Sequence, residues 1–348
     1  MKNLSGRFCE EPFSFLFVGG GGNVYLCCPG WIRQNYAIGN IFRQKDLNLI
    51  WNSKKAKLFR KSVCDGSFNY CKGICPKIDS RLLPRIDGCS EEWKAILSNP
   101  MKDLDYLPKK VQFSYDFDCN LYCNSCRHTQ MHMNQSQLKS YDQAKDTILK
   151  PLLKEAEILI LSGSGELFAS RHSIKYLQEL SPAEFPKLRY HIMTNGQLFT
   201  EKTWNQYPYM QQMIERLFIS IDAAKKETYE VIRRGGRWEV LMNNLNFTGR
   251  LRKGNKIKGL YLMFVVQKLN YREMVDFIQL GYEIGADRIC FSRIGNWGIY
   301  SEREFIEMDV CDPRNEEHKQ FLQVLKHPFF GASRVSLENL HEFRGKQG

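Results

Sequence analysis

The sequence predicts an α/β protein in which a small, cysteine-rich module precedes a parallel sheet flanked by helices. Three observations indicate this arrangement. Apolar runs alternate with longer amphipathic stretches after position 110, seven of the twelve cysteines lie before position 90, and the first third of the chain is rich in glycine and cysteine. A chain of 348 residues is long enough for one large domain and a smaller one.

The first 88 residues are predicted to form the small module. Four glycines at positions 19–22 stand between short apolar runs and predict a turn. A module this rich in loops needs a staple to hold it together. Residues 89–110 are predicted to form a helix and a linker, because Pro100 and Pro108 break a helical pattern.

The main domain is predicted over residues 111–310, followed by a C-terminal extension at 311–348. The predicted strands are 111–117, 157–161, 188–194, 216–221, 259–266 and 287–294. The predicted helices are 141–154, 172–180, 201–213, 237–251 and 271–284. Six strands that alternate with helices favour a parallel sheet, in which ligands bind at the carboxyl ends of the strands.

Composition excludes some classes of protein. No apolar run is as long as the roughly 18 residues that a membrane span needs. The start of the chain is polar and lacks the apolar core of a signal peptide. We therefore expect a cytoplasmic protein with no membrane association, whose cysteines bind metal rather than form disulfides. The net charge of +12 suggests an anionic partner or simply a basic surface, and the scattered basic residues make nucleic acid an unlikely partner.

Three cysteines lie together in Asp118-Cys-Asn-Leu-Tyr-Cys-Asn-Ser-Cys-Arg127, directly after the first predicted strand. Cys119, Cys123 and Cys126 can hold three irons of a [4Fe–4S] cluster and leave the fourth iron open to another ligand. Structural zinc normally has four ligands, and only His128 or His132 offers a local fourth. Iron–sulfur is the favoured interpretation, with zinc as the alternative.

The CxxxCxxC loop after the first strand of a β/α-repeat domain resembles the radical S-adenosylmethionine (radical SAM) enzymes. The resemblance covers roughly residues 112–305, and it implies a partial (β/α)6 TIM-type barrel. It also implies that S-adenosylmethionine (SAM) chelates the open iron. One electron then cleaves SAM to methionine and a 5′-deoxyadenosyl radical, which removes a hydrogen atom from the substrate.

The resemblance also nominates residues that bind SAM. Ser164-Gly165-Glu166 resembles the turn that contacts the SAM amino group. Ser220 and Asp222 resemble the polar pair that faces the SAM ribose and carboxylate. Arg233 is a further candidate for the SAM carboxylate, and Phe264-Val-Val-Gln267 resembles the fifth strand, whose backbone flanks the adenine. Asn195, in the strand-end turn Thr194-Asn-Gly196, and Tyr122 are the remaining candidates.

Three positions depart from the family pattern. Ser125 stands where an aromatic residue usually lies next to the adenine, so Tyr122 or another side chain has to cover the base. Ser164 replaces the first glycine of Gly-Gly-Glu, where a positive φ suits glycine better. Leu167 replaces the proline that usually follows.

The N-terminal module resembles the SPASM domain and its shorter form, Twitch, which carry auxiliary clusters and usually follow the barrel. The matching features are Cys9, Gly22, Cys27, the segment Ile50-Trp-Asn-Ser53 and the pair Cys71-Lys-Gly-Ile-Cys75. The resemblance implies one auxiliary [4Fe–4S] cluster on Cys9, Cys27, Cys71 and Cys75. Cys28 and Cys64 are alternative ligands, and structural zinc is the alternative metal.

The resemblance implies an oxygen-sensitive radical SAM enzyme that modifies a peptide or protein side chain. A dehydrogenase of a sugar or other small molecule is the second interpretation, and a zinc-stapled nucleic-acid-binding protein is the non-enzymatic one. A flavodoxin or ferredoxin is the expected reducing partner. The catalytic residues are unknown, and His128 and Cys290 are the candidates. The alternative for His128 is a solvated loop histidine with no catalytic role, and the alternative for Cys290 is a strand cysteine that only packs in the core.

Overall fold

The computed structural model describes residues 4–33, 36–73, 75–78 and 83–344, which fall into two compact units. The first unit comprises Met1–Asp116, Met133–Ser164 and Leu180–Arg189, and the second comprises Phe117–His132, Gly165–Glu179 and Tyr190–Gly348. Ile74 of the predicted cysteine pair, and residues 345–348 of the predicted extension, lie outside the described residues. The domain boundaries drawn from the sequence stay a prediction.

The first unit contains a mixed sheet. Its strands are β1 (Phe15–Gly19), β2 (Asn23–Tyr25), β3 (Gly39–Asn40), β4 (Lys110–Ser114) and β5 (Ile158–Leu161). The pairs β1–β2 and β2–β3 are antiparallel, whereas β1 pairs in parallel with β4, and β4 pairs in parallel with β5. The hairpin of the cysteine-rich module is therefore hydrogen-bonded directly to the first of the six predicted strands.

The predicted glycine turn joins β1 to β2. Gly22 has a φ of +75°, and a Cβ placed there would lie 2.7 Å from the ring of Phe42. Its N–H donates to the hydroxyl of Tyr141 at 3.1 Å. Both the backbone angle and the close ring demand glycine at this position.

The helices of the first unit flank this sheet. They are Glu11–Ser14, Leu47–Trp51, Lys54–Cys64, Glu91–Ser98, Gln135–Ala144 and Lys150–Leu153, with a π-helical segment at Lys145–Leu149. The helix predicted over 141–154 starts earlier, at Gln135, because Asn134 and Gln137 form a capping box.

The second unit contains a parallel sheet of β6 (Arg189–Thr194), β7 (Ile214–Ser220), β8 (Gly259–Val266), β9 (Arg288–Arg293) and β10 (Val335–Ser336), paired in that order. Along β8, Leu260, Leu262 and Phe264 are fully buried and alternate with half-buried residues. The ring of Phe264 packs 4.9 Å from that of Phe277 on helix Met274–Ile284. This alternation places the helices on one face of the sheet and leaves the other face less tightly covered.

Helices alternate with these strands. They are Ile174–Glu179, Glu201–Gln206, Pro208–Met213, Lys226–Ile232, Trp238–Lys253, Met274–Ile284, Glu302–Met308, His318–Val324 and His341–Arg344. The helix predicted over 201–213 is two helices, because Pro208 cannot continue the first one. The strand–helix alternation and the parallel pairing confirm the predicted α/β class. Among the described residues, no helix has the length and apolarity that a membrane crossing requires.

Candidate metal centre

The loop that carries Cys119, Cys123 and Cys126 lies in the second unit and has no helix or strand of its own. All twelve cysteines of the chain are free thiols. Two backbone hydrogen bonds attach the loop to the end of helix Lys226–Ile232 and the residues after it. Tyr122 N donates to Arg234 O at 3.0 Å, and Asn124 N donates to Ile232 O at 3.1 Å. The loop is therefore held by main chain even though it is irregular.

Arg234 anchors the same loop through its side chain. Its Nε donates to Tyr122 O at 3.0 Å and its Nη2 donates to Arg127 O at 3.1 Å, while the guanidinium lies 5.1 Å from the centre of the Tyr122 ring. Gly235 has a φ of +89°, and a Cβ there would lie 3.2 Å from that ring. The Arg-Gly pair thus shapes the cysteine loop and fixes the ring of Tyr122.

Each of the three sulfurs accepts a hydrogen bond from a nitrogen. Leu121 N lies 3.4 Å from Cys119 Sγ, Arg233 Nη1 lies 3.7 Å from Cys123 Sγ, and Arg127 Nε lies 3.4 Å from Cys126 Sγ. Burial raises the pKa of Cys119 to about 11, so coordination to a metal is what would hold this sulfur as a thiolate. A set of three thiols with N–H donors aimed at them fits an iron–sulfur cluster.

Asp222 and Arg233, both predicted from the sequence, form a buried ion pair beside the loop. Asp222 Oδ2 lies 2.6 Å from Arg233 Nη2, and Asp222 Oδ1 accepts from Val265 N at 2.7 Å. Burial raises the pKa of Asp222, although the charge of Arg233 opposes this rise. Burial alone would lower the pKa of Arg233, but Asp222 and Cys123 outweigh it and raise that pKa. Asp222 has a φ of +63°, an angle that aspartate tolerates better than most residues.

Glu166 and Asn195 form a second linked pair. Glu166 is buried, and its carboxylate accepts from Asn195 N at 2.7 Å and from Thr194 Oγ1 at 2.8 Å. Burial raises the pKa of Glu166 to about 7, although these hydrogen bonds oppose the rise. Asn195 Nδ2 in turn donates to Asn120 Oδ1 at 2.9 Å and lies 3.9 Å from Cys119 Sγ. The turn at Glu166 and the end of β6 are therefore connected to the cysteine loop.

The remaining predicted SAM contacts lie in different places. Ser164 belongs to the first unit, where its hydroxyl bonds to Ser114 at 2.9 Å. The positive φ angles of this turn occur at Ser162 and Gly163, so Ser164 does not carry the angle that we expected to strain it. Gly165 begins a segment of the second unit, and Ser220 ends β7 as a half-buried residue. Their roles stay predictions.

The two candidate catalytic residues occupy contrasting surroundings. His128 is exposed in the cysteine loop, with Glu304 nearby. Cys290 is buried in β9, and burial together with Glu338 raises its pKa to about 12. A raised pKa keeps the thiol protonated at neutral pH. Both catalytic roles stay predictions.

Five cysteines of the first unit line one cavity of about 200 Å³. These are the predicted ligands Cys9, Cys27, Cys71 and Cys75, together with the alternative Cys28. Apolar side chains supply much of the remaining wall: Pro12, Phe15, Trp31, Phe59, Val63, Phe68 and Leu83. The other alternative, Cys64, is not part of the lining, which favours Cys28 over it as a substitute ligand.

Charge and burial shape this cavity as well. Burial raises the pKa of Cys9 to about 11 and of Cys71 to about 12. Glu11 also lines the cavity; burial works against its charge, but Lys110, at 2.8 Å, and Lys77 lower its pKa. Four or five half-buried thiols around one largely apolar space fit a fully ligated auxiliary cluster.

Within the described part of the chain, no three His, Cys, Asp or Glu side chains are grouped closely enough to hold a single metal ion. A [4Fe–4S] cluster takes its thiolates one at each iron. Sequence reasoning missed Asn120, Arg127 and Arg234. The only sequence signal for Arg127 was its position directly after the third cysteine.

Two family models match the chain. The model of the radical SAM superfamily matches residues 117–281, and that of SPASM, an iron–sulfur cluster-binding domain, matches residues 9–76. The chain thus has a radical SAM domain, which implies a [4Fe–4S] cluster and SAM, and a SPASM domain, which implies an auxiliary iron–sulfur cluster. It belongs to the radical SAM superfamily of enzymes, with its SPASM domain earlier in the sequence.

Solved structures show similarity at low identity. SuiB of Streptococcus suis bound to precursor peptide SuiA is 14% identical with a TM-score of 0.44, over 85% of this chain and 64% of that chain. The structure of anSMEcpe with bound AdoMet and a peptide is 19% identical with a TM-score of 0.44, over 65% of this chain and 62% of that chain. The structure of TYW1 with a lysine–pyruvate adduct is 18% identical with a TM-score of 0.40, over 64% of this chain and 73% of that chain. The chain thus spans less than two thirds of the length of SuiB. No curated protein sequence is similar enough to count as a match.

Proposed function

We propose that this chain reductively cleaves SAM at a [4Fe–4S] cluster held by Cys119, Cys123 and Cys126, and that it abstracts a hydrogen atom from a substrate. The observation that carries the proposal is the surroundings of these three thiols. Each sulfur accepts an N–H. Asn195, directly after β6, reaches Cys119, and Arg233, directly after helix Lys226–Ile232, reaches Cys123. Such a constellation supports a cluster with three protein ligands rather than a closed structural site.

When bound and reduced, the cluster supplies the electron that splits SAM into methionine and the 5′-deoxyadenosyl radical. The chain itself binds and orients. Arg233, held by Asp222, presents a cation beside Cys123 and is the proposed partner of the SAM carboxylate. Glu166 fixes Asn195 next to Cys119, and Cys126 is exposed, which keeps one side of the loop accessible.

A second cluster is proposed at the cavity of the first unit. Cys9, Cys27, Cys71 and Cys75 would supply its four ligands, with Cys28 as the alternative on the same cavity. A fully ligated cluster offers no iron to SAM. Its proposed role is to accept or deliver an electron, which favours an oxidative or bond-forming outcome.

The proposed substrate is a peptide or protein side chain. The resemblance to enzymes with an auxiliary-cluster domain supports this class, and the net charge of +12 suits an acidic leader segment. Oxidation of a sugar or another small molecule is the second candidate, because the charge equally suits an anionic sugar. A flavodoxin or ferredoxin is the proposed reductant.

The test uses anaerobically reconstituted full-length protein, dithionite and SAM, with 5′-deoxyadenosine as the measured product. We expect product from the wild type and none from the variant in which Cys119, Cys123 and Cys126 are alanine. Protein that takes up zinc but no iron would refute the proposal and favour the zinc-stapled alternative. Equal product from the triple variant would also refute the site.

A further inference from the structure

Arg60 is a buried cation in the first unit. It lies on helix Lys54–Cys64, is 0% exposed, and donates through Nε to Pro12 O at 2.9 Å. Its Nη1 and Nη2 have no hydrogen-bond partner among the residues that the structure describes. A guanidinium carries five N–H donors, and a buried charge without a partner is unfavourable. The position of Arg60 therefore indicates that a further group balances its charge.

The surroundings of Arg60 stabilise its charge only in part. The guanidinium carbon lies 4.3 Å from the centre of the Trp51 ring, as in a cation–π contact. Burial lowers the pKa of Arg60 to about 10, although Tyr106 and Asp103 oppose this change. Asp103 is itself paired with Lys57. Arg60 is thus still charged at neutral pH, and none of the described carboxylates contacts its two terminal nitrogens.

The cation lies just outside the wall of the cysteine cavity. Pro12, whose carbonyl group it binds, lines this cavity, and so does Phe59, which precedes Arg60 on the helix. Val63, three residues further along the helix, also lines it. Since this wall is largely apolar, water screens a charge behind it only weakly. Arg60 can therefore act electrostatically on a group bound inside the cavity.

Three other cations near this cavity are placed differently. Lys77 and Lys110 both pair with Glu11, so their charges meet a carboxylate on the cavity wall. Arg33 Nε donates to the carbonyl group of a cavity-lining cysteine at 2.9 Å, but this arginine is exposed and its charge is screened by water. Of these four cations, Arg60 is the one that is fully buried and has no described carboxylate at its terminal nitrogens.

A cluster in the cavity would supply the balancing negative charge. A [4Fe–4S] cluster with four thiolate ligands is anionic, and it gains one further negative charge when it is reduced. A buried cation nearby stabilises the reduced state more than the oxidised state and so raises the reduction potential. Over about 10 Å of protein interior, one unit charge shifts such an equilibrium by about tenfold.

We infer that Arg60 is the buried counter-charge of the auxiliary cluster and that it raises the reduction potential of this cluster. The inference rests on the proposed function, because it assumes a cluster on the cavity cysteines. It deepens that function in one respect. A higher potential favours the transfer of one electron from a substrate radical to the auxiliary cluster, which is thereby reduced while the substrate is oxidised.

The experiment is a redox titration, followed by electron paramagnetic resonance, of anaerobically reconstituted full-length protein. Cys119, Cys123 and Cys126 are replaced by alanine in this parent, so that the auxiliary cluster gives the signal. Arg60→Met should lower the potential by about tenfold in the one-electron equilibrium, which is 59 mV. Arg60→Lys keeps the charge and should stay near the parent value. The matched control is Lys61→Met, which removes the neighbouring, exposed cation of the same helix and should leave the potential unchanged.

A lower potential in Arg60→Met, with parent values in Arg60→Lys and Lys61→Met, supports the inference. An unchanged potential in Arg60→Met overturns it, and so does an equal fall in Arg60→Lys or in Lys61→Met, which would indicate an effect of packing or of overall charge. If Arg60→Met takes up no iron, Arg60→Lys decides. Iron uptake by Arg60→Lys shows that the charge is required and supports the inference, whereas no uptake overturns it. If the parent itself takes up no iron, the proposed auxiliary cluster fails rather than the role of Arg60.

Discussion

The two cysteine sites of this chain hold their thiols in opposite ways. In the second unit, three cysteines occupy one irregular loop; Cys126 is exposed, and side chains of Arg127, Arg233 and Asn195 reach the sulfurs. In the first unit, five cysteines surround a largely apolar cavity, and the hydrogen bonds that lower the pKa values of Cys9 and Cys75 come from backbone N–H groups. One site is surrounded by polar side-chain donors, and the other by largely apolar walls.

This difference shows how one ligand type can serve two purposes. A cluster that must bind an outside ligand needs an iron without a protein ligand, and polar groups to orient that ligand. A cluster that only stores or passes electrons needs full ligation and protection from water. The number of available thiols and the polarity around them separate the two cases here.

The largest expected effect follows from removing the three-cysteine site. Replacing Cys119, Cys123 and Cys126 by alanine should reduce SAM cleavage to the background, because no other site is proposed to leave an iron open. The measurement is 5′-deoxyadenosine formed with dithionite. Iron should fall by about half, since each proposed cluster holds four irons. If this variant still cleaves SAM, the three-cysteine loop is not the site of cleavage, and the proposed difference between the two sites is wrong.

Removing the other site should give the complementary result. Cys9→Ala with Cys71→Ala should also lower iron by about half, because each cluster carries four irons. SAM cleavage without substrate should persist, since the three-cysteine loop lies in the other compact unit and is unchanged. Iron analysis and the dithionite assay measure both. Loss of cleavage here would mean that the auxiliary site is required for the first step.

A smaller effect is expected from the ion pair beside the loop. Asp222→Asn keeps the size and tolerates the positive φ, but leaves Arg233 buried without its carboxylate, which should lower the free energy of unfolding by about 3 kcal/mol. Chemical denaturation measures this change. The control is Glu307→Gln, which is largely exposed like its partner Arg303, and no measurable change is expected there. Equal losses would argue against a buried, coupled pair.

The smallest expected effect distinguishes the alternative ligands. Cys64→Ala should leave iron content and SAM cleavage at wild-type values, because Cys64 does not line the cavity. Its matched variant, Cys28→Ala, removes a thiol that does. Loss of about four irons from Cys64→Ala would place the auxiliary ligands differently from the cavity described here.

Local patterns predicted the fold well where one physical rule dominated. The strand at 259–266 is found with the bounds predicted, because its run of apolar residues is unbroken. The prediction of one continuous helix at 201–213 was wrong, since Pro208 ends the first helix despite the amphipathic pattern. The two-residue strand β10 has no pattern of its own and exists only by pairing with β9.

The sequence predicted the cysteine ligands and the strand-end residues of the site, but not the residues that hold the cysteine loop in place. Cysteine spacing and the resemblance nominated Cys119, Glu166, Asp222 and Arg233. The anchoring by Arg234 and the bond of Asn120 to Asn195 join segments that are far apart in the sequence, whereas the sulfur contact of Arg127 depends on where its side chain lies beside Cys126. Such contacts carry no spacing rule, and only the structure brings them together.

The most direct test of the open iron is the effect of SAM on the electron paramagnetic resonance spectrum of the reduced protein. SAM should change the spectrum of the wild type and of the Cys9→Ala, Cys71→Ala variant, because both keep the three-cysteine site. It should leave the spectrum of the Cys119, Cys123 and Cys126 alanine variant unchanged. A SAM-dependent change in that last variant would place the open iron at the auxiliary site and contradict the account.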